Sequence, residues 1–106
     1  MPATDEELIV ACSTTPQTFT LDPTWRYCIR HSGRTVLGGP DTNDIFFDTS
    51  GTTRAMPTTY AAGTAKLWLE SGQSLNLRRG LKTLRVAVAA GAPVLIITPI
   101  DRQGSW

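Results

Sequence analysis

The last third of the chain, residues 66–99 (KLWLESGQSLNLRRGLKTLRVAVAAGAPVLIITP), leaves little choice of secondary structure. It holds four short apolar runs cut apart by turn formers, and no segment long enough for a helix escapes interruption. Leu67-Trp68-Leu69 runs into the Glu70-Ser71-Gly72-Gln73 turn. Leu75 and Leu77 then alternate with Asn76 and Arg78, the period of two expected of a half-buried strand. After the Arg79-Gly80 corner, Leu84, Val86 and Val88 share one face, with Arg85, Ala87 and Ala89 on the other. Ala90-Gly91-Ala92-Pro93 connects this run to Val94-Leu95-Ile96-Ile97. Two β-rich runs joined by a few residues containing Gly and Pro read as a hairpin. The expectation is an antiparallel β-meander with a buried final strand.

The rest of the chain repeats the pattern. Asp5-Glu6-Glu7 before Leu8-Ile9-Val10-Ala11-Cys12 allows a helix capped by Thr4 or an extended arm entering a strand. The β-branched residues and the Ser13-Thr14-Thr15-Pro16 stop favour a short strand. Phe19 and Leu21 alternate with threonines. Trp25, Tyr27 and Ile29 face one way while Arg26, Cys28 and Arg30 face the other, with aromatics where a pleated surface packs best. Residues 31–44 form a loop rich in Gly and turn-capping side chains. Ile45-Phe46-Phe47 is a short strand, and residues 52–63 are a long loop with an edge strand near Tyr60. About seven or eight short strands at this spacing predict an all-β fold, an antiparallel β-sandwich of jelly-roll type. The expected division is an N-terminal arm (1–17), a sandwich domain (18–100) and a C-terminal tail (101–106).

With 106 residues the chain has one core. Charged residues make up only 18%, against about 25% in an ordinary domain, which suits a protein that hides surface in an assembly. A net charge of +1 argues against nucleic acid as the main partner, since such proteins carry a strongly basic face. No apolar run reaches the roughly 18–20 residues of a membrane helix, and the acidic start precedes no signal-type apolar segment. Cys12 and Cys28 permit one disulfide without requiring it, and free buried thiols are expected.

No catalytic constellation stands out. His31-Ser32 lacks a nucleophile elbow and reads as an ordinary strand-end turn. Asp41, Asn43, Asp44 and Asp48 offer oxygens of the kind a hard cation takes, yet Asx turns explain the cluster as well, so no metal or other cofactor is assigned. Arg78, Arg79, Lys82 and Arg85 are the only basic concentration. They form either a solvated sheet face or a contact with an acidic protein surface, and no aromatic platform for single-stranded nucleic acid lies among them. Trp25 and Trp68 fall within strand patterns, whereas the terminal Trp106 is a candidate for docking on a neighbour. Both parities are apolar in Ile45–Phe47 and Val94–Ile97, so these strands need cover on both faces, with another subunit one source of it.

The order of these features is a further clue. TrpArgTyrCysIleArg at 25–30 ends at SerGly, AspIlePhePheAspThrSerGlyThrThr follows at 44–53, and LysLeuTrpLeuGluSerGlyGlnSerLeuAsnLeu stands at 66–77. LysThrLeuArgValAlaValAlaAlaGlyAlaProValLeuIleIleThrPro closes the series at 82–99. Over residues 18–99 this resembles the small β-sandwich virion proteins of tailed bacteriophages, including head decoration (cement) proteins. The long Gly-Pro loop at 33–43 and the acidic N-terminus have no counterpart in that pattern. The resemblance implies a non-enzymatic capsid component that binds between subunits of the major capsid protein, commonly as a trimer, and braces the shell. It implies a place on the capsid exterior after assembly in the host cytoplasm, with the arm and tail crossing onto neighbours. A tail, fibre or baseplate component is the alternative within the virion. A carbohydrate-binding module is the alternative of another class, and it requires exposed aromatics among Trp25, Tyr60 and Trp68.

Overall fold

The computed structural model describes residues 6–50 and 68–102. They form eight strands and, among the described residues, no helix: β1 (Leu8–Ala11), β2 (Gln17–Thr20), β3 (Trp25–His31), β4 (Ile45–Asp48), β5 (Trp68–Leu69), β6 (Ser74–Asn76), β7 (Thr83–Val88) and β8 (Val94–Arg102). One antiparallel sheet has the order β1-β8-β3-β6 and the other β2-β7-β4-β5. The strands therefore nest as 1 with 8, 2 with 7, 3 with 6 and 4 with 5, the two-sheet arrangement of an eight-stranded jelly roll. The all-β sandwich expected from the strand spacing is the fold.

The period-two pattern explains which faces meet. Val10, Tyr27, Ile29, Leu95 and Ile97 of the first sheet and Phe19, Ile45, Phe47, Leu84, Val86 and Val88 of the second belong to one buried cluster. Their registers agree: Ile29 stands opposite Ile97, Phe19 opposite Leu84, and Phe47 opposite Val86. A one-residue slip in any of these ladders would turn an apolar row to solvent.

The meander expected over the last third is not what forms. β5 and β7 lie in one sheet, β6 and β8 in the other, so each connection crosses the core instead of closing a hairpin. Pairing β7 beside β8 would line up their apolar residues on one face of a single sheet and leave that face needing another layer. Crossing sets Val86 and Val88 in one sheet and Leu95 and Ile97 in the other, all within one core. The doubly apolar β4 finds its second cover within the chain: all four residues are buried, and the Phe46 ring packs at a tilt on Trp68 with centroids 6.2 Å apart.

The expected boundaries fall inside strands. Leu8–Ala11, placed in an N-terminal arm, pairs with β8 along its whole length, Gln17 begins β2, and β8 runs on to Arg102. The edge strand near Tyr60 and the tail residue Trp106 lie outside the described residues.

Candidate functional site

Two surface features and one internal network set the chemistry of this fold. The network lies under the loop that joins β3 to β4. His31 is fully buried at the end of β3, and both ring nitrogens are engaged. Nδ1 accepts the Gly33 N–H at 2.9 Å, and Nε2 lies 2.6 Å from the Asn43 carbonyl. An acceptor at one nitrogen and a donor at the other define the neutral Nε2–H tautomer. Asp41 completes the platform: one carboxylate oxygen accepts the Asn43 N–H and side-chain amide at 3.0 and 2.8 Å, and the other accepts the Ala92 N–H at 3.0 Å. Burial alone would raise this carboxyl, but the N–H donors of Asn43 and Ala92 outweigh it and hold it below the usual carboxylate range.

On that platform stands a short finger. Arg34 and Pro40 form an isolated antiparallel bridge, Thr35 N–H donates to Gly39 at 2.8 Å, and Gly38 N–H donates to Thr35 at 2.9 Å. The base is tied to β8, with Val94 N–H donating to Arg34 at 2.8 Å and Ser32 N–H to Val94 at 3.0 Å. The tip carries two adjacent aliphatic side chains, Val36 at 67% and Leu37 at 97% exposure. Scattered exposed apolar residues are ordinary. An adjacent pair fixed at the end of a hydrogen-bonded turn has no packing role within the chain.

The second surface feature is a cleft of about 120 Å³ at the open edge of the sandwich, lined by Phe47, Trp68, Leu69, Gln73, Ser74 and Leu75. Leu75 stands opposite Ile29 and so faces inward, but it lies on the edge strand β6 and stays 40% exposed. The cleft and the finger occupy the same end of the molecule. Gly72 N–H donates to the His31 carbonyl at 3.1 Å and His31 N–H to Gln73 at 2.9 Å, tying the β5–β6 turn to the end of β3.

The basic run divides. Arg79 is a partly exposed clamp: its guanidinium donates to the Thr24 carbonyl at 2.9 Å and pairs with the Asp101 carboxylate. Arg26 holds the other Asp101 oxygen at 2.7 Å. Desolvation would raise Asp101, yet the bonds and charges of Arg79 and Arg26 prevail and hold it below its ordinary value. Arg85 is half-buried on the outer face of its sheet, opposite Asp48 and Thr18. Arg78 and Lys82 are exposed, and Lys82 borders a shallow depression of about 330 Å³ with Thr49, Ser50, Gly80 and Thr83. The four basic residues thus differ in exposure, with Arg78 and Lys82 open and Arg79 and Arg85 half-buried.

The remaining candidates have structural partners. Ser32 Oγ donates to the Arg34 carbonyl and accepts from its N–H, both at 3.2 Å. Asp48 closes an Asx turn on Ser50. Among the described residues, no three His, Cys, Asp or Glu side chains stand close enough to hold a metal ion. Cys12 and Cys28 are free thiols, Cys12 buried and Cys28 half-buried. Burial pushes the Cys12 thiol up to about 12.

The finger and the cleft were missed in the sequence. The signal for the finger was an apolar Val36-Leu37 pair inside a loop otherwise made of turn formers. No family model, curated protein or solved structure matches the chain.

Proposed function

We propose that this chain is a structural protein of a bacteriophage virion, a capsid cement or decoration protein that binds between major capsid subunits as a homo-oligomer. The nested eight-strand order carries the reading, because two-sheet jelly rolls are an architecture of viral capsid domains. This is a fold-level analogy and hosts other functions too, so the surface must supply the rest. Low charge, an apolar finger at one end and an exposed Arg78 give a surface suited to protein contact. The sugar-binding alternative needs an aromatic platform, and the large apolar residues exposed among the described residues are all aliphatic: Ile9, Val36, Leu37, Leu75 and Ile100.

The test is co-expression with the major capsid protein encoded in the same genome, followed by gradient purification and gold labelling of the chain. Co-sedimentation at a fixed ratio, with label on the shell, supports the reading. Label confined to a tail structure in complete particles replaces it with a tail or baseplate role. A chain left at the top of the gradient, with no label on particles, overturns it.

A further inference from the structure

We infer that acid releases the β3–β4 loop and its Val36–Leu37 tip, because a second proton on His31 expels the Gly33 N–H from the ring and opens the base of the finger. His31 is the only histidine in the chain and is fully buried. In the neutral ring Nε2–H donates to the Asn43 carbonyl at 2.6 Å, and the bare Nδ1 accepts the Gly33 N–H at 2.9 Å. An imidazolium carries a proton on both nitrogens. Its Nδ1–H would meet the Gly33 N–H donor against donor, and an attraction would become a repulsion.

Neither partner can step aside alone. Asn43 holds the ring at its other nitrogen. The His31 backbone is tied on both sides, its N–H to Gln73 at 2.9 Å and its carbonyl to Gly72 at 3.1 Å. Gly33 is confined by the β5–β6 turn, where a Cβ on it would come within 2.8 Å of Ser71 Oγ. The conflict therefore passes into the loop. The Gly33 carbonyl accepts the Asp41 N–H at 2.9 Å, so moving Gly33 also unseats Asp41, whose carboxylate holds Asn43 and Ala92.

The charges around the ring leave this conflict in place. Asp41 acts on His31 through its field, but its oxygens already accept the Asn43 N–H, the Asn43 amide and the Ala92 N–H. Its charge eases entry of the proton without removing the Gly33 clash. In the same loop Arg34 is exposed and Asp44 half-buried. Arg30, on β3 itself, is exposed. From β8, Leu95 stands opposite His31, and nothing between residues 94 and 97 is ionisable. The β5–β6 turn brings the exposed Glu70, and the end of β1 brings Cys12, whose thiol burial keeps protonated. Asp41 is held below the ordinary carboxylate range, so it stays ionised where a free imidazole takes its proton, near pH 6.5. The inference is a property of the single chain and stands apart from the virion assignment.

The experiment follows the native full chain by imidazole nitrogen NMR and amide hydrogen exchange between about pH 7.5 and about pH 5, the range of histidine switches. At the upper end the ring should show the Nε2–H tautomer. If the open loop takes one proton at the ordinary imidazole value and the closed loop none, opening rises about 30-fold by pH 5. Exchange at Gly33, Thr35, Gly38 and Asp41, corrected for its intrinsic pH dependence, should quicken by that order. Amides of the inner strands, such as Ile29 and Val86, should keep their protection. His31→Gln, which takes no proton, should abolish the response, and where that variant does not fold the titration of the parent chain decides. Loop protection that stays constant down to pH 5 overturns the inference. So does an Nδ1–H or doubly protonated ring at pH 7.5, or an acid response kept by His31→Gln. Equal loss of protection in loop and strands overturns it as well, since the event would then be global unfolding.

Discussion

The Asp41 carboxylate accepts a hydrogen bond from the backbone N–H of Ala92 at 3.0 Å, across 51 residues of chain. That bond joins the β3–β4 loop to the β7–β8 connection, two segments at the same end of the sandwich. The same carboxylate holds Asn43, and the adjacent His31 holds Gly33. The finger therefore rests on a hydrogen-bonded base, which is why a loop rich in glycine can present a fixed apolar tip.

Gly91 shows how closely this base is packed. Its φ is +75°, and a Cβ there would come within 2.5 Å of Asn43 Nδ2 and 2.6 Å of Asp41 Oδ2. Asp41 cannot retreat without losing its hydrogen bonds. Gly91→Ala should cost about 2–4 kcal/mol, from left-handed strain plus the displaced carboxylate. Gly72 has a similar φ of +78° but open space around it, so Gly72→Ala should cost only about 1–2 kcal/mol. Urea unfolding of both variants checks the contrast, and equal losses would mean that backbone strain alone matters.

The depressed carboxyls of Asp41 and Asp101 fix the sign of the acid response. A group held below its unfolded value, near 4 for Asp, contributes its full stability above that value. The contribution is lost as pH falls through the lower folded value. These two carboxyls should therefore make the urea midpoint fall as pH drops below about 4. Asp101→Asn should flatten the fall. A decline already complete above pH 5 would contradict this assignment.

Local pattern made the strands legible but not their partners. Alternation at Leu84, Val86 and Val88 reports a strand with one buried face, and Gly91 and Pro93 report a turn. Neither says whether the chain folds back beside itself or crosses the core. Val86 pairs with Gln17 and Phe47, partners far away in sequence, and only the joint burial of both sheets selects them. The basic run was legible as charge alone. That Arg79 is held by Asp101 depends on Asp101 arriving at the far end of β8, which spacing within residues 78–85 cannot report.

The two arginines at 78 and 79 make that difference measurable. Arg79 bridges Thr24 and Asp101, while Arg78 is exposed. Arg79→Ala should lower the melting temperature by about 4–8 °C, the shift that roughly 1 kcal/mol produces in a domain of this size. Arg79→Lys should recover little, because a single ammonium cannot reproduce the forked contact. Arg78→Ala should leave melting nearly unchanged. The reverse order would show that the contacts of Arg79 with Thr24 and Asp101 add no stability.

Thiol chemistry tests the burial of the first sheet from both sides. Cys12 is enclosed in the core cluster, and its thiol is pushed up to about 12 by burial, so at pH 8 it is almost wholly protonated and shielded. Cys28 is half-buried on the outer face of β3, opposite Thr98 and Asn76. A chromogenic disulfide reagent added to the native chain at pH 8 should therefore titrate one thiol, which Cys28→Ser removes. The second should appear only when denaturant opens the fold, because thiolate and access are both needed for exchange. Two thiols reacting together in the native chain would place Cys12 at the surface and break the pairing of β1 with β8 on which the sheet order rests.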